Sequence, residues 1–153
     1  MHWIRREVKR QVVWVDKADE YLLSHYTWQV DKKGYLAAVD SRAKTVKLHK
    51  LILQVRPGMQ VDHINGNRRD NRRCNLREVT SAQNCQNRRA ANQTGLKGVH
   101  PRGKKFFACI RVEGKFTYLG IYPTAEEAAR VYDEAAHRAF GEFARLNFPA
   151  VAA

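Results

Sequence analysis

The chain predicts an α+β protein made of two small domains, and three observations carry that prediction. Short runs of β-branched and aromatic residues bounded by Gly and Asn turns recur along its length, as in QVVWVD, VDHI, KKFFACIRVEGK and FTYLGIYP. One strong helical pattern, TAEEAARVYDEAAHRAF, stands near the C-terminus. Between them AANQTG, residues 90–95, is small and polar, with an independent apolar pattern on each side. A length of 153 residues suits one ordinary domain or two small ones, and 44% hydrophobic residues suffice to bury a core.

In chain order, QVVWVD reads as a strand and ADEYLLSHY as a short helix. WQVDKKGYLAAV reads as a hairpin turning at Lys32-Lys33-Gly34. TVKLHKLILQV starts β-branched, continues with a helix-like apolar face and ends at Arg56-Pro57-Gly58. VDHINGN reads as a strand entering a tight turn at Asn65-Gly66, and NRRDNRRCNL as a polar, structured loop. Thr80 or Ser81 caps a helix over roughly residues 82–90, which completes a ββα-like unit. After the 90–95 break, GLKGVHPRG, KKFFACIRVEGK and FTYLGIYP read as three strands. The last helix has Thr124 as N-cap with Glu127 three residues on, a capping box. Ala128, Val131, Tyr132, Ala135, Ala136 and Ala139 form its apolar stripe, and Gly141 stops it. The expected division is residues 1–90, a linker at 91–95, and residues 96–149.

A net charge of +13 favours a polyanionic partner through counterion release at a phosphate backbone. Ribosomal and membrane-surface proteins share such a charge, so it points to a partner class and to no chemistry. No run of about 18 apolar residues exists, so no membrane span is expected. MHWIRREVKRQ is basic but has no apolar h-region, so it does not read as a signal peptide. Cys74, Cys85 and Cys109 are odd in number and lack CxxC spacing, which speaks against a disulfide framework and a four-cysteine zinc site. The thiols read as reduced, in an intracellular protein.

The chemistry concentrates in VDHINGNRRDNRRCNLREVTSAQNCQNRR, residues 61–89. Asp62 and His63 precede two spaced asparagines, Asn75 and Asn84, among arginines. A carboxylate and an amide oxygen are hard ligands that suit Mg²⁺ or Mn²⁺. A neutral His takes a proton from water near physiological pH. Arginines hold a phosphodiester against such a site. Adjacent strand residues point to opposite faces, so Asp62 and His63 reach one phosphate only at a strand end. Asn71 and Asn87 compete with Asn75 and Asn84 for their places, since Asn-rich loops also satisfy their own backbone. His49 either approaches the site or packs its helix. A zinc held by Cys74, Cys85 and His63 would consume the base, so no structural zinc is expected.

DHINGN, DNRRCNLR and TSAQNCQN resemble the HNH endonucleases of the H-N-N homing type found in phages and introns. The lead-in WVDKADEYLLSHYTWQVDKKGY and KLHKLIL extends the resemblance to residues 12–90. It implies a ββα-metal nuclease domain that hydrolyses DNA to 3′-hydroxyl and 5′-phosphate ends. In that reading His63 is the general base, Asn75 orders the loop, and Asp62 and Asn84 hold one divalent metal. Arg68, Arg69, Arg72, Arg73 and Arg77 position the backbone. The last ligand is often His in the family and is Asn84 here. One site cuts one strand, so a monomer nicks and a double-strand break needs a dimer or two visits. A monomer or weak dimer in the cytoplasm of a bacterial host, encoded by a phage or mobile element, is the implied setting.

Residues 95–149, and above all YLGIYPTAEEAARVYDEAA and ARLNFP, resemble the plant Apetala-two/ERF DNA-binding domain. The implied fold is a three-stranded antiparallel sheet packed on one helix. Lys97, His100, Arg102, Phe106, Arg111 and Tyr118 fall at its contact positions for double-stranded DNA. Plant members have Arg and Trp where this chain has Lys97, His100, Phe106 and Tyr118, so base preference does not carry over. Phe106 and Phe107 are each also candidates for core packing. The rival reading is a DNA-binding transcriptional regulator with an inactive nuclease domain, and metal-dependent nicking of supercoiled plasmid separates the two.

Overall fold

The computed structural model describes residues 3–8 and 10–149. The chain divides into two compact units, Met1–Asn84 and Cys85–Ala153.

The first unit opens with β1 (Trp3–Val8) and β2 (Gln11–Asp16), an antiparallel pair. β1 is hidden in the sequence because it has little apolar content: Ile4 and Val8 pack on the core, while Arg6 between them pairs with Glu20. A 3-10 turn at Lys17–Asp19 leads into α1 (Tyr21–His25). Next come β3 (Gln29–Val30), β4 (Leu36–Val39) and β5 (Thr45–Lys47), an antiparallel sheet in that order. The turn between β3 and β4 spans the expected Lys32-Lys33-Gly34. Its geometry is set by Asp31, whose Oδ1 accepts the amides of Lys33 and Tyr35 at 2.8 and 2.9 Å. α2 (Leu48–Leu53) follows directly, ending in a left-handed Gln54. The core joins Val13 and Val15 of β2, Leu22, Trp28, Leu36, Leu48, Ile52, Val61 and Leu76.

β6 (Gln60–His63) and β7 (Leu76–Val79) pair antiparallel, and α3 (Ser81–Gln86) completes the ββα unit. The polar reading of NRRDNRRCNL therefore stops short: LREV is the partner strand of β6, with Leu76 and Val79 inward. Thr80 is the cap: its hydroxyl accepts the Gln83 amide while the Gln83 side chain accepts the Thr80 amide. α3 ends at Gln86, not near residue 90. It carries no acid in its first turn and no base in its last, so no side-chain charge complements its dipole.

The second unit is β8 (Val99–Arg102), β9 (Lys105–Val112) and β10 (Lys115–Tyr122), antiparallel in the order β10-β9-β8, with α4 (Ala125–Phe140) packed on one face. Thr124 and Glu127 form the expected capping box, and Gly141 terminates α4 at φ +53°. Gly98 permits the close approach of helix to sheet. Its φ is +73°, and a Cβ there would lie 1.9 Å from the Tyr132 ring. Residues 92–96 are tied to this unit, since Asn92 Nδ2 donates to the carbonyls of Leu96 and Val99 at 2.8 Å each. Asn147 clips the unit closed: it accepts the Lys97 amide at 2.6 Å and donates to Asp133. No helix among the described residues is long and apolar enough to cross a membrane.

Candidate active site and nucleic-acid interface

His63 is the last residue of β6, at the strand end where alternation relaxes. It is 4% exposed. Its Nε2 lies 3.3 Å from Asn71 Oδ1. An amide oxygen only accepts, so with Asn71 turned this way Nε2 carries the proton of the neutral ring and Nδ1 carries the lone pair. Burial lowers the His63 pKa, against the opposing hydrogen bond to Asn71 and the charge of Asp62. The imidazole is thus held neutral, the form a base needs.

Two aromatic groups flank this ring. His49, from α2, meets it edge-on with centroids 5.2 Å apart, and the Tyr35 ring is 5.9 Å away. His49 therefore both packs its helix and approaches His63. Burial, then the nearby His63, lowers its pKa to about 3, and its Nδ1 is buried without a hydrogen-bond partner.

Asp62 turns to the other face of β6. Its cross-strand neighbour is Arg77, whose Nε and Nη2 donate to Asp62 Oδ2 at 3.0 and 2.9 Å. Two residues back on the same face is Gln60, whose Oε1 accepts from Asn84 Nδ2 at 2.6 Å. Asp62 and Asn84 are thus brought to one side of the ββα unit, a carboxylate and an amide. This donor set fits a hard divalent cation that keeps several waters. In this structure the Asp62 carboxylate is already neutralised by the Arg77 guanidinium. Among the described residues no three His, Cys, Asp or Glu side chains form a cluster suited to a metal.

Asn75 holds the intervening loop. Its Oδ1 accepts the Asn65 amide at 3.0 Å and its Nδ2 donates to the Asp70 carbonyl at 2.8 Å. The loop also lies along β2: the Trp14 amide donates to the Arg69 carbonyl at 3.0 Å, and the Asn71 amide donates to the Trp14 carbonyl at 2.8 Å. Its arginines all have partners within the unit. Arg72 grips Asp70 through two 2.7 Å bonds and lies over the Trp3 ring. Arg73 grips buried Asp19 at 2.8 and 2.7 Å. Arg69 donates to Gln11, and Arg68 donates to the Lys33 carbonyl while lying over Tyr35. Asn71, fully buried, is the residue the motif ranked only as a competitor. Gln60 and Tyr35 carry no local sequence signal for this site, whereas His49, which the sequence left between approaching the site and packing its helix, comes from α2.

On the second unit, cross-strand pairing defines one face of the sheet away from α4. His100 stacks on Phe107 with centroids 5.1 Å apart, and Phe107 reaches toward Tyr118 at 6.2 Å. Arg102 pairs with Lys105 across β8 and β9, and Arg111 with Phe116 across β9 and β10. Two expected contact residues lie elsewhere. Phe106 is one residue out of phase, so it packs on the Val99, Ala108 and Ala128 core, and Phe107 takes the open-face place. Lys97 sits before β8 with its ammonium donating to the Gln86 carbonyl. Burial, then the charge of Arg145, lowers its pKa to about 8.

An HNH endonuclease family model matches residues 55–86, the β6–β7–α3 segment with its lead-in. An uncharacterized HNH endonuclease of Acanthamoeba polyphaga mimivirus is 31% identical over 133 residues, covering 82% of this chain and 69% of that protein. The chain belongs to the HNH endonuclease family. Its C-terminal part is similar to plant proteins. The dehydration-responsive element-binding protein 2A of Arabidopsis thaliana is 58% identical over 61 residues, and its counterpart 2E of Oryza sativa subsp. japonica 53% over 47. These matches cover 38% and 29% of the HNH chain but only 18% and 15% of the plant proteins. An HNH nuclease unit thus precedes a DNA-binding unit of the Apetala-two/ERF type.

Proposed function

We propose that this HNH protein is a metal-dependent DNA endonuclease of the homing type, whose C-terminal sheet selects the site that the N-terminal unit cuts. The observation that carries the reading is the buried His63 at the end of β6, bonded to Asn71 and lying within the segment that the HNH family model matches. His63 Nδ1 takes the proton of the attacking water, while Asn71 holds the ring in that tautomer. Asn75 keeps the 65–70 loop closed around it. Asp62 and Asn84 would hold Mg²⁺ or Mn²⁺, which when bound neutralises charge developing on the leaving oxygen. The in-line hydrolysis leaves 3′-hydroxyl and 5′-phosphate ends, one strand at a time. The covalent link between the units raises the effective concentration of the cleft at a bound site. His100, Arg102, Phe107, Arg111 and Tyr118 form the reading face; arginine reads guanine bidentately and aromatics contact sugars and thymine methyls.

The test is nicking of supercoiled plasmid with Mg²⁺ or Mn²⁺ against chelator. Metal-dependent nicking, retained in part by Asn84→Asp and lost in Asn84→Ala, is the expected result. Full activity in chelator removes the metal assignment. Duplex binding without any nicking favours the regulator with an inactive nuclease unit.

A further inference from the structure

Beside His63 the structure gathers positive charge that the H-N-N motif does not contain. Tyr35 directly precedes β4, and its ring centroid lies 5.9 Å from that of His63. Lys47 Nζ lies 4.5 Å from the ring centroid and the Arg68 guanidinium 4.6 Å, so the two charges are no further apart than twice that. The only carboxylate recorded against either cation among the described residues is Asp31, at a loose 3.6 Å from Lys47. Its Oδ1 already accepts the amides of Lys33 and Tyr35. Two cations thus lie against one ring with a single carboxylate near them.

The placement is held by the backbone. Lys47 is paired across the sheet with Ala37, on the face opposite buried Leu36 and Ala38. Arg68 is anchored by the Lys33 carbonyl of the same turn that Asp31 organises. An aromatic ring stabilises a cation on its face, and a guanidinium spending one N–H on a carbonyl retains others for a ligand. This is a rigid, net-positive donor set with a neutral base next to it, which suits a phosphate.

We propose that Lys47 and Arg68, carried on Tyr35, form a phosphate-binding subsite that grips the cut DNA strand at a phosphate neighbouring the scissile one. The inference rests on the nuclease reading and adds Lys47 and Tyr35 to it as substrate-positioning residues. A phosphate contact is blind to sequence, so its loss weakens all duplexes alike and lowers the salt dependence.

The experiment uses the full chain and short duplexes containing a mapped nick site. Lys47→Met should weaken binding about tenfold on any sequence, flatten the logarithmic salt slope by about one, and act on KM rather than kcat. Lys47→Arg should restore most of the affinity. Lys44→Met, which removes an exposed charge from the adjacent turn, should leave the slope unchanged. A scan with single neutral methylphosphonates should find one position, next to the nick, that weakens the wild type but not Lys47→Met. Arg68→Met should be blind to the same position, and it carries the test if Lys47→Met melts early. A wild type that nicks, with Lys47→Met and Arg68→Met indistinguishable from Lys44→Met, overturns the subsite alone. A wild type that neither binds nor nicks duplex overturns the nuclease reading and the subsite with it.

Discussion

In the loop after His63 and on the β7 strand that follows it, Arg72, Arg73 and Arg77 each lie against a carboxylate that is itself buried. On the open face of the C-terminal sheet, Arg102, Lys105 and Arg111 are exposed and enter no ion pair among the described residues. The same residue type serves opposite ends. A bidentate pair with a desolvated carboxylate fixes a loop that has little apolar content of its own. Lys and Arg without a protein partner keep their hydrogen bonds and charge for a ligand. The HNH unit thus commits its charge to geometry, and the C-terminal sheet leaves its charge exposed.

The largest test of that contrast is His63→Ala. If the buried loop serves a base, cleavage should fall by roughly two to four orders of magnitude while duplex affinity persists. A variant that nicks near the wild-type rate would remove His63 from the chemistry. Gly98→Ala probes the other unit. It combines a left-handed backbone with a Cβ inside the Tyr132 ring. The cost should exceed the roughly 1 kcal/mol of an unfavourable φ by the strain of displacing that ring. The expected sign is loss of duplex binding with non-specific nicking retained, and unaltered binding would show that the helix can shift to accept it.

A paired comparison sharpens the contrast directly. Arg73→Ala strands the Asp19 carboxylate, 3% exposed, and should destabilise the fold by about 1–3 kcal/mol even with solvent screening at the half-exposed guanidinium. Arg111→Ala should change stability by about 0.5 kcal/mol or less, yet weaken specific sites by about 1–3 kcal/mol if it reads a base. Urea titrations and binding isotherms on both variants measure this, and equal stability losses would erase the distinction.

The smallest effect is that of pH. His49 has its folded pKa lowered from 6.5 to about 3, and His63 is lowered too. The unfolded chain therefore binds protons that the folded unit refuses, and stability falls as pH drops below about 6.5. For His49 the slope reaches about 1.4 kcal/mol per pH unit between the two pKa values. His49→Gln should flatten the curve between pH 6 and 5 in chemical denaturation, and an unchanged slope would show that His49 is protonated in the folded state.

How much was readable beforehand depends on the range of the interactions. The α4 capping box, the Asn-Gly turn and the β8–β10 hairpins rest on contacts a few residues apart, so local patterns carry them. β1 and β7 escaped because each is half polar and becomes a strand only by pairing with a neighbour. Phe106 and Phe107 differ by one step in register, which composition cannot resolve and the packing of α4 does.

The sequence by itself determined the two-part α+β plan, the positive charge and the HNH segment, because these lie in local periodicity and in one contiguous motif. Only the tertiary structure decided that Asn71 meets His63 and that His49 and Tyr35 stand beside it. It alone decided that the loop arginines are committed to carboxylates and carbonyls, and that Lys47 joins Arg68 over one ring. These are contacts between β4, β5, α2 and the 64–75 loop, set by how the elements pack around the core, and no short-range pattern encodes such distances.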